Sequence, residues 1–535
     1  MNKQTFIQGT MILLVAGIVN RILGFIPRIL LPRIIGAEGV GLYQLGYPFF
    51  LVLVTIITGG IPLAVAKLIA EAESSGQPGR SAAILRTSLV FTAGAGLIFT
   101  IASLVGAPWI SRYVLPDSRV YHTFLAMSPM IVIVAVSSVF RGYFQGKQNM
   151  IPSASSSIME TIGRIICVLW FSYLMLPMGV AYGAAGAMLG VAAGEVVGMA
   201  VILWHYWRAR RKEIKAPPAG AAAAPAMDPG KGSSLNPDAG RWSFSTLKRI
   251  LRIAVPVTGG RLVGSLSYLL ESITTAQSLA IAGITTAIAT AQYGSLQGMV
   301  IPLLLLPGAL TSSLAVSLVP SLAEAQARGD MRTIHLRLHQ SLRLALVTGG
   351  PFAALMYVLA EPLCLLIYNN ADIAGMLKIM APFALFLYAQ SPLQAALQAL
   401  DKPGRALLNT LIGAIIKISL ILYLASNPSL GIYGAIIAII ANFAVVTLLH
   451  GYSVSRELRY RIPYFDVIKV ICGMIIMAAA ATYIYHELPI SPLPEVQLVL
   501  AAFISGLLYL VLAGAMGLID LQDLRRLPLL RRWFR

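Results

Sequence analysis

GLYQLGYPFFLVLVTIITGGIPLAVAKLIAEAESSGQ, residues 41–77, carries no charged side chain from Gly41 to Ala66. As a helix rising ~1.5 Å per residue, that run is on the order of 40 Å long, more than the ~30 Å of hydrocarbon in a bilayer. Lys67 and the acidic, Ser/Gly-containing stretch behind it close the run. Read outward, the same pattern recurs along the whole chain, from 6–31 and 40–66 to 466–486 and 496–519. The chain is 57% hydrophobic and 11% charged, with a mean hydropathy of +0.79. Soluble domains are roughly 25% charged, so a soluble fold is excluded. The pattern predicts an all-α polytopic membrane protein of about fourteen transmembrane helices. The first apolar run continues from Lys3 through Arg21 and Arg28 with no small-residue cleavage site, and reads as a retained helix.

The net charge of +19 does not indicate nucleic-acid binding, because the basic residues sort with the gaps between spans. Arg33, Arg112, Arg119 and Lys378 fall on the odd gaps. Arg21, Arg28, Arg164, Arg261 and Lys417 fall inside spans. The rest of the 40 Lys and Arg lie on the even gaps and the two ends. By the positive-inside rule, both termini are expected in the cytoplasm and the number of spans is expected to be even. Cys167, Cys364 and Cys472 are scattered through apolar segments, with neither disulfide nor metal spacing.

The Pro/Gly/Ala-rich stretch 209–244 is expected to be a flexible cytoplasmic linker. It separates an N-lobe, 1–208, from a C-lobe, 245–460, followed by spans 13 and 14 and a basic cytoplasmic tail over 461–535. The two lobes look duplicated. Residues 41–77 are matched by AQYGSLQGMVIPLLLLPGALTSSLAVSLVPSLAEAQARGD, residues 291–330. FRGYFQGKQNMIPSASSSIMETIGRI, residues 140–165, is matched by LQAALQALDKPGRALLNTLIGAIIKI, residues 393–418, which pairs Arg164 with Lys417. Six spans per copy is even, so both copies enter the membrane in the same direction. They form a parallel repeat of two six-helix lobes, with two C-terminal helices outside it.

A basic side chain at the bilayer centre costs ~2.5–3.5 kcal/mol, so five facing lipid would cost on the order of 15 kcal/mol. They are therefore expected to face water, partners or a ligand. Gly17, Arg21, Gly24 and Arg28 share one face of span 1, giving a small-residue groove with cationic walls. Arg28 either lines that groove or reaches outward to the interface. Pro27 and Pro32 are expected to break or bend the outer half of this helix. Arg261, Ser265, Tyr268 and Ser272 form a polar stripe on span 7 beside Glu271. Arg261 and Glu271 either pair structurally or serve substrate and ion binding.

Glu160 stands one turn before Arg164, a favourable intrahelical pair. Glu195 is an isolated acid among glycines and alanines, and either titrates or bonds a neighbouring helix. The positive surplus inside the spans suits an anion, and planar guanidinium suits phosphate oxygens. Arg21, Arg28, Arg261, Lys417 and Arg164 are thus the substrate-binding candidates. Glu271, Glu160 and Glu195 are the coupling or ion-pair candidates. No metal cluster, P-loop or catalytic triad pattern is present, so no enzyme activity and no cofactor are expected.

NRILGFIPR in span 1, the 41–77 run and FRGYFQGKQNMIP resemble the polysaccharide-exporter branch of the multidrug/oligosaccharidyl-lipid/polysaccharide flippase superfamily. Within it, the likeness is to the stage V sporulation protein B group. The resemblance implies two six-helix lobes plus two helices that alternate between inward-open and outward-open forms. It also implies translocation of an undecaprenyl-pyrophosphate-linked cell-wall precursor of the lipid II type, for peptidoglycan or spore cortex, across the cytoplasmic membrane. By the NRILGF match, Arg21 is an essential arginine and Arg28 the second. Arg261 stands for a functional arginine of the seventh or eighth span. Sodium-binding acids of some relatives lie in spans 7, 11 and 12. Spans 11 and 12 here offer Asn409 and Asn442 instead, so no sodium site is expected. The driving force is then another ion gradient or the membrane potential. Residues 466–519 would hold the lipid tail. Expected partners are the glycan lipid, membrane lipids and cell-wall synthases. The rival readings are a drug/cation antiporter on the same fold and a non-transporting scaffold for those synthases.

Overall fold

The structure is a computed structural model that describes residues 6–115, 117–215, 243–460, 464–488 and 490–519. Its described residues are almost entirely helical, in two compact units, Met1–Ile273 and Thr274–Arg535.

The first unit runs through α1 (Phe6–Thr58), α2 (Ile61–Ser74), α3 (Pro78–Trp109), α4 (Val120–Met127), α5 (Met130–Gly146), α6 (Ile151–Met175), α7 (Val180–Lys215) and most of α8 (Phe244–Ile281). The second starts within α8 and continues through α9 (Thr286–Ser295), α10 (Ile301–Leu305), α11 (Gly308–Ala327), α12 (Met331–Val358), α13 (Ala360–Tyr368), α14 (Ala374–Met380) and α15 (Ala384–Ala399). It ends with α16 (Pro403–Leu420), α17 (Ile432–Leu458), α18 (Tyr464–His486) and α19 (Pro494–Ala515).

Among the described residues, 13 stretches are long and apolar enough to cross a membrane. The first, Met11–Ser74, is 64 residues long, on the order of 100 Å if straight and therefore too long for one crossing. Gly36 divides it with φ 69 and ψ 178, a conformation that a Cβ would oppose. Two crossings in that stretch bring the total to the fourteen expected. The break differs from the sequence reading in position. Pro27 and Pro32 lie inside continuous helix, and Gly36 is where the helix is interrupted. Proline removes one donor yet keeps a helical φ; only the glycine can turn to positive φ without cost.

The duplication is visible in the connections. After α2, Ser75 N, Gly76 N and Gln77 N donate to Glu71 O, Glu73 O and Ala72 O. After α11, Arg328 N, Gly329 N and Asp330 N donate to Glu324 O, Gln326 O and Ala325 O. Gly76 and Gly329 carry φ of 67 and 69. After α5 and α15 the two turns also coincide, with Gln148 and Asp401 both at φ 55. Asp401 is 253 positions after Gln148, as Gly329 is after Gly76. Side chains differ between the copies while turn geometry persists, because the backbone bonds are what close each helix end.

The linker expected over 209–244 begins later, since residues 209–215 continue α7. Residues 216–242 and the basic tail beyond 519 lie outside the described residues. In the second unit, α18 and α19 pack on α12 through Leu346, Val347, Val470, Met477 and Tyr509. Gln497 ties their connection together, donating to Ile484 O at 2.6 Å and Leu488 O at 2.7 Å and accepting from Ile490 N and Ser491 N at 3.1 Å each. Of the cysteines, Cys364 is buried, whereas Cys472 is exposed on α18.

Candidate functional site

Seven of the eight charged residues singled out by sequence lie in the first unit; Lys417 alone belongs to the second. Two different settings separate these seven.

The first setting is built by glycine. Gly186, Gly190, Gly194 and Gly198 recur every fourth residue on α7. A Cβ at Gly190 would sit 2.3 Å from Val168 Cα, and one at Gly194 would sit 2.7 Å from Arg164 Cβ. This ladder lets the α7 backbone lie directly on α6, the close approach small residues provide between membrane helices. Ser156 Oγ, on α6, donates to Gly198 O at 2.7 Å and fixes the register. The register brings Glu195 onto Arg164 Nη2, 3.1 Å away, while the same Nη2 bonds Glu160 Oε1. Arg141 arrives from α5. Its Nη2 donates to Glu160 Oε2 at 2.5 Å and lies 4.0 Å from Glu195 Oε2. The result is a closed cluster of two arginines and two glutamates.

The intrahelical Glu160–Arg164 pair forms as expected, but not alone. Glu195 bonds the neighbouring helix and is not isolated. Arg141 was missed: by sequence it falls on an even gap, whereas the structure puts it inside the membrane-length stretch Val120–Gly146. The 253-residue offset places an uncharged residue, Gln394, opposite it, and a base kept in one copy only was the available signal.

The second setting is open. On α1, Arg21 and Arg28 are exposed, and a Cβ at Gly17 or Gly24 would meet nothing within 4 Å. On α8, Arg261 is exposed, and Gly259, Gly260 and Gly264 likewise face open space. Neither Arg28 nor Arg261 has a carboxylate partner among the described residues; Arg28 lies over the Phe25 ring, 5.9 Å from its centroid. The Arg261–Glu271 pair does not form: Glu271 is buried and Arg261 is exposed. The stripe on α8 also divides. Ser265 and Ser272 hydroxyls donate to carbonyls of their own helix, whereas Tyr268 Oη reaches Gln44 Oε1 on α1 at 3.1 Å. Asn20 Nδ2, beside Arg21, donates to Ser157 Oγ on α6 at 2.7 Å.

These bonds tie α1 to both α6 and α8. Tyr43 and Tyr47 stack on α1 with centroids 5.9 Å apart. Outside the four-charge cluster, the open faces therefore carry Arg21, Arg28 and Arg261, while Glu271 is buried. Such a surface attracts anions, and guanidinium matches paired phosphate oxygens.

Just past the Gly36 break in α1, Glu38 Oε1 accepts from Arg119 at 2.5 Å, and Arg119 also donates to Asp117 Oδ2 at 2.8 Å. The bonds to Asp117 and then Glu38 hold its guanidinium well above the ordinary arginine value.

In the second unit, Lys417 is buried on α16, whose Asn409 Nδ2 donates to Ser453 Oγ on α17 at 3.0 Å.

The profile described as polysaccharide biosynthesis protein matches residues 6–326, more than half of the chain. The chain belongs to this family. A second profile, MatE, matches residues 265–423 of the family member described here. Stage V sporulation protein B of Bacillus subtilis (strain 168) is 39% identical over 99% of this chain and 99% of its own length. Lipid II flippase MurJ of the same organism is 24% identical over 98% of this chain and 97% of its own. A solved structure of lipid II flippase MurJ in an inward closed conformation shares the fold, with a TM-score of 0.70 and 16% identity over 96% of this chain and 99% of that one. The family expected from NRILGFIPR and FRGYFQGKQNMIP is the family found, and the protein is a multi-pass membrane protein.

Proposed function

We propose that this protein is a flippase. It moves an undecaprenyl-pyrophosphate-linked cell-wall precursor of the lipid II type across the cytoplasmic membrane by alternating access, for peptidoglycan or spore cortex. The observation that carries this reading is the contrast inside the first unit. Arg141 and Arg164 are neutralised by glutamates, whereas Arg28 and Arg261 stand exposed on glycine-lined faces with no carboxylate partner among the described residues. Unpaired guanidiniums in a membrane helix are costly unless they meet water or an anion. A pyrophosphate needs such groups to leave the headgroup region, while its polyprenyl chain stays in lipid. The name of one relative, lipid II flippase MurJ, supports the same substrate class, and that of stage V sporulation protein B supports a role in the spore.

Arg21, Arg28 and Arg261 bind the pyrophosphate in this reading, and Lys417 and Arg164 contribute to the potential around it. Glu271 is the partner or proton carrier, and an ion gradient or the membrane potential drives the cycle. The even-gap basic residues support a cytoplasmic position for both termini. A cation antiporter would line its path with acids, whereas Arg21, Arg28 and Arg261, the exposed charges of these faces, are basic.

The test is reconstitution of the full chain into liposomes with a labelled lipid-linked pyrophosphate. Arg28→Ala and Arg261→Ala should each reduce flipping at least tenfold, the value of ~1.4 kcal/mol of lost charge-assisted bonding, with unchanged amounts in the membrane. Full activity in both variants, or cation-driven dye efflux with no lipid movement, overturns the proposal.

A further inference from the structure

The four-charge cluster has an asymmetry that charge neutralisation alone does not require. Each glutamate presents one oxygen to each arginine: Oε1 of both faces Arg164, and Oε2 of both faces Arg141. Each arginine makes all of these contacts through a single nitrogen, Nη2. The Nε of Arg141 and the Nε of Arg164 are both buried without a hydrogen-bond partner. An arginine that served only to neutralise two carboxylates would present its fork, using Nε and Nη in parallel. Here the fork is half used, and a buried N–H donor left unmet is costly.

We propose that this cluster is a carboxylate-buffered anion site. Arg141 holds Glu160 and Glu195 in place, so that Arg164 can turn its unused edge to a phosphate oxygen of the cargo without leaving two carboxylates uncompensated. Arg164 is the ligand-binding residue, and Arg141 is a positioning residue that acts through the glutamates. This assignment rests on the flippase reading and adds to it a resting and an engaged state of Arg164. The gain is reversibility: an arginine drawn from a neutral cluster binds the anion less tightly than an unpaired one, which favours release on the far side.

The experiment measures flipping of labelled lipid-linked pyrophosphate in liposomes as KM and kcat, with inorganic pyrophosphate as competitor. Arg141→Gln leaves Arg164 as the sole counter-charge of both glutamates and should raise KM about tenfold, more than it lowers kcat; Arg141→Lys should recover most of that loss. Glu160→Gln combined with Glu195→Gln releases Arg164 and should lower KM below the wild-type value, with tighter competition by pyrophosphate. Adding Arg141→Gln to that pair should then change KM little. A purely structural cluster predicts that none of these neutralisations lowers KM, whatever it does to membrane abundance. Unchanged KM in the Glu160/Glu195 double variant overturns the proposal, also if Arg141→Gln fails to accumulate. If Arg28→Ala abolishes flipping while these variants leave KM unmoved, the handover fails and the flippase reading stands. If Arg28→Ala and Arg261→Ala flip normally, the underlying reading itself fails.

Discussion

The α6–α7 pair of the first unit and the α16–α17 pair of the second are the same piece of backbone used for two purposes. Both follow a turn whose residue stands at φ 55, Gln148 in one and Asp401 in the other. Both rely on a glycine where the helices meet: Gly198 against Glu160, and Gly413, where a Cβ would lie 2.2 Å from Val446 Cγ2. Shifted by 253 positions, Arg164 becomes Lys417, Glu160 becomes Gly413, Glu195 becomes Leu448 and Arg141 becomes Gln394. One copy holds a closed set of four charges. The other holds one buried lysine and a neutral amide–hydroxyl bond, Asn409 to Ser453. Helix contact in a membrane is thus set by small residues and shape, and the polar content of the seam is free to diverge once that contact exists.

The sharpest break of this comparison is a deletion within the charged seam. Glu160→Ala leaves Arg141 and Arg164 facing one glutamate, a loss of about 3 kcal/mol. That is the low end for a broken buried pair, because both arginines remain partly exposed. Asn409→Ala, which removes the neutral bond to Ser453 in the matching seam, should cost less, about 1 kcal/mol. Thermal unfolding of both purified variants in detergent measures the difference, and equal costs would mean that the two seams are energetically alike.

A smaller effect is expected from the ladder itself. Gly190→Ala forces α6 and α7 apart and should cost ~1–3 kcal/mol. Gly404→Ala, at the start of α16 where a Cβ meets nothing, should be neutral or stabilising by up to ~1 kcal/mol. A tolerated Gly190→Ala would show that the close contact is not needed.

The smallest effect lies at the other matched turn. Asp330 caps α12, accepting from Thr333 N at 3.0 Å and Thr333 Oγ1 at 2.6 Å, whereas its counterpart Gln77 makes no side-chain cap on α3. The bonds from Thr333 hold the Asp330 carboxyl below the usual carboxylate range. A lowered folded-state value means that its contribution is complete above the ordinary aspartate range and fades as pH falls through and below it. Asp330→Asn should flatten that acid limb slightly, and Gln77→Asp should introduce one. Acid-titrated unfolding midpoints that do not respond to either change would remove the cap from the account.

Much of this molecule is legible in one dimension. Span length, the spacing of Gly17, Arg21, Gly24 and Arg28 on one helix face, the sorting of Lys and Arg by gap and the 253-residue echo all follow from counting along the chain. The bilayer makes that count decisive, because every crossing must satisfy its own backbone and must be about 20 apolar residues long. The placement of the helix break at Gly36 and not at a proline was harder to read, since both residue types interrupt helices and only the local φ distinguishes them. What surrounds each charge was decided by tertiary structure alone. Arg141, Glu160, Arg164 and Glu195 come from three helices, and they meet because a ladder of glycines sets the rotation and distance of α7 on α6. Whether an arginine is locked to glutamates or left open, as at Arg28 and Arg261, depends on which faces touch. The order of residues does not contain that information, since the same spacing can turn toward a neighbour or away from it.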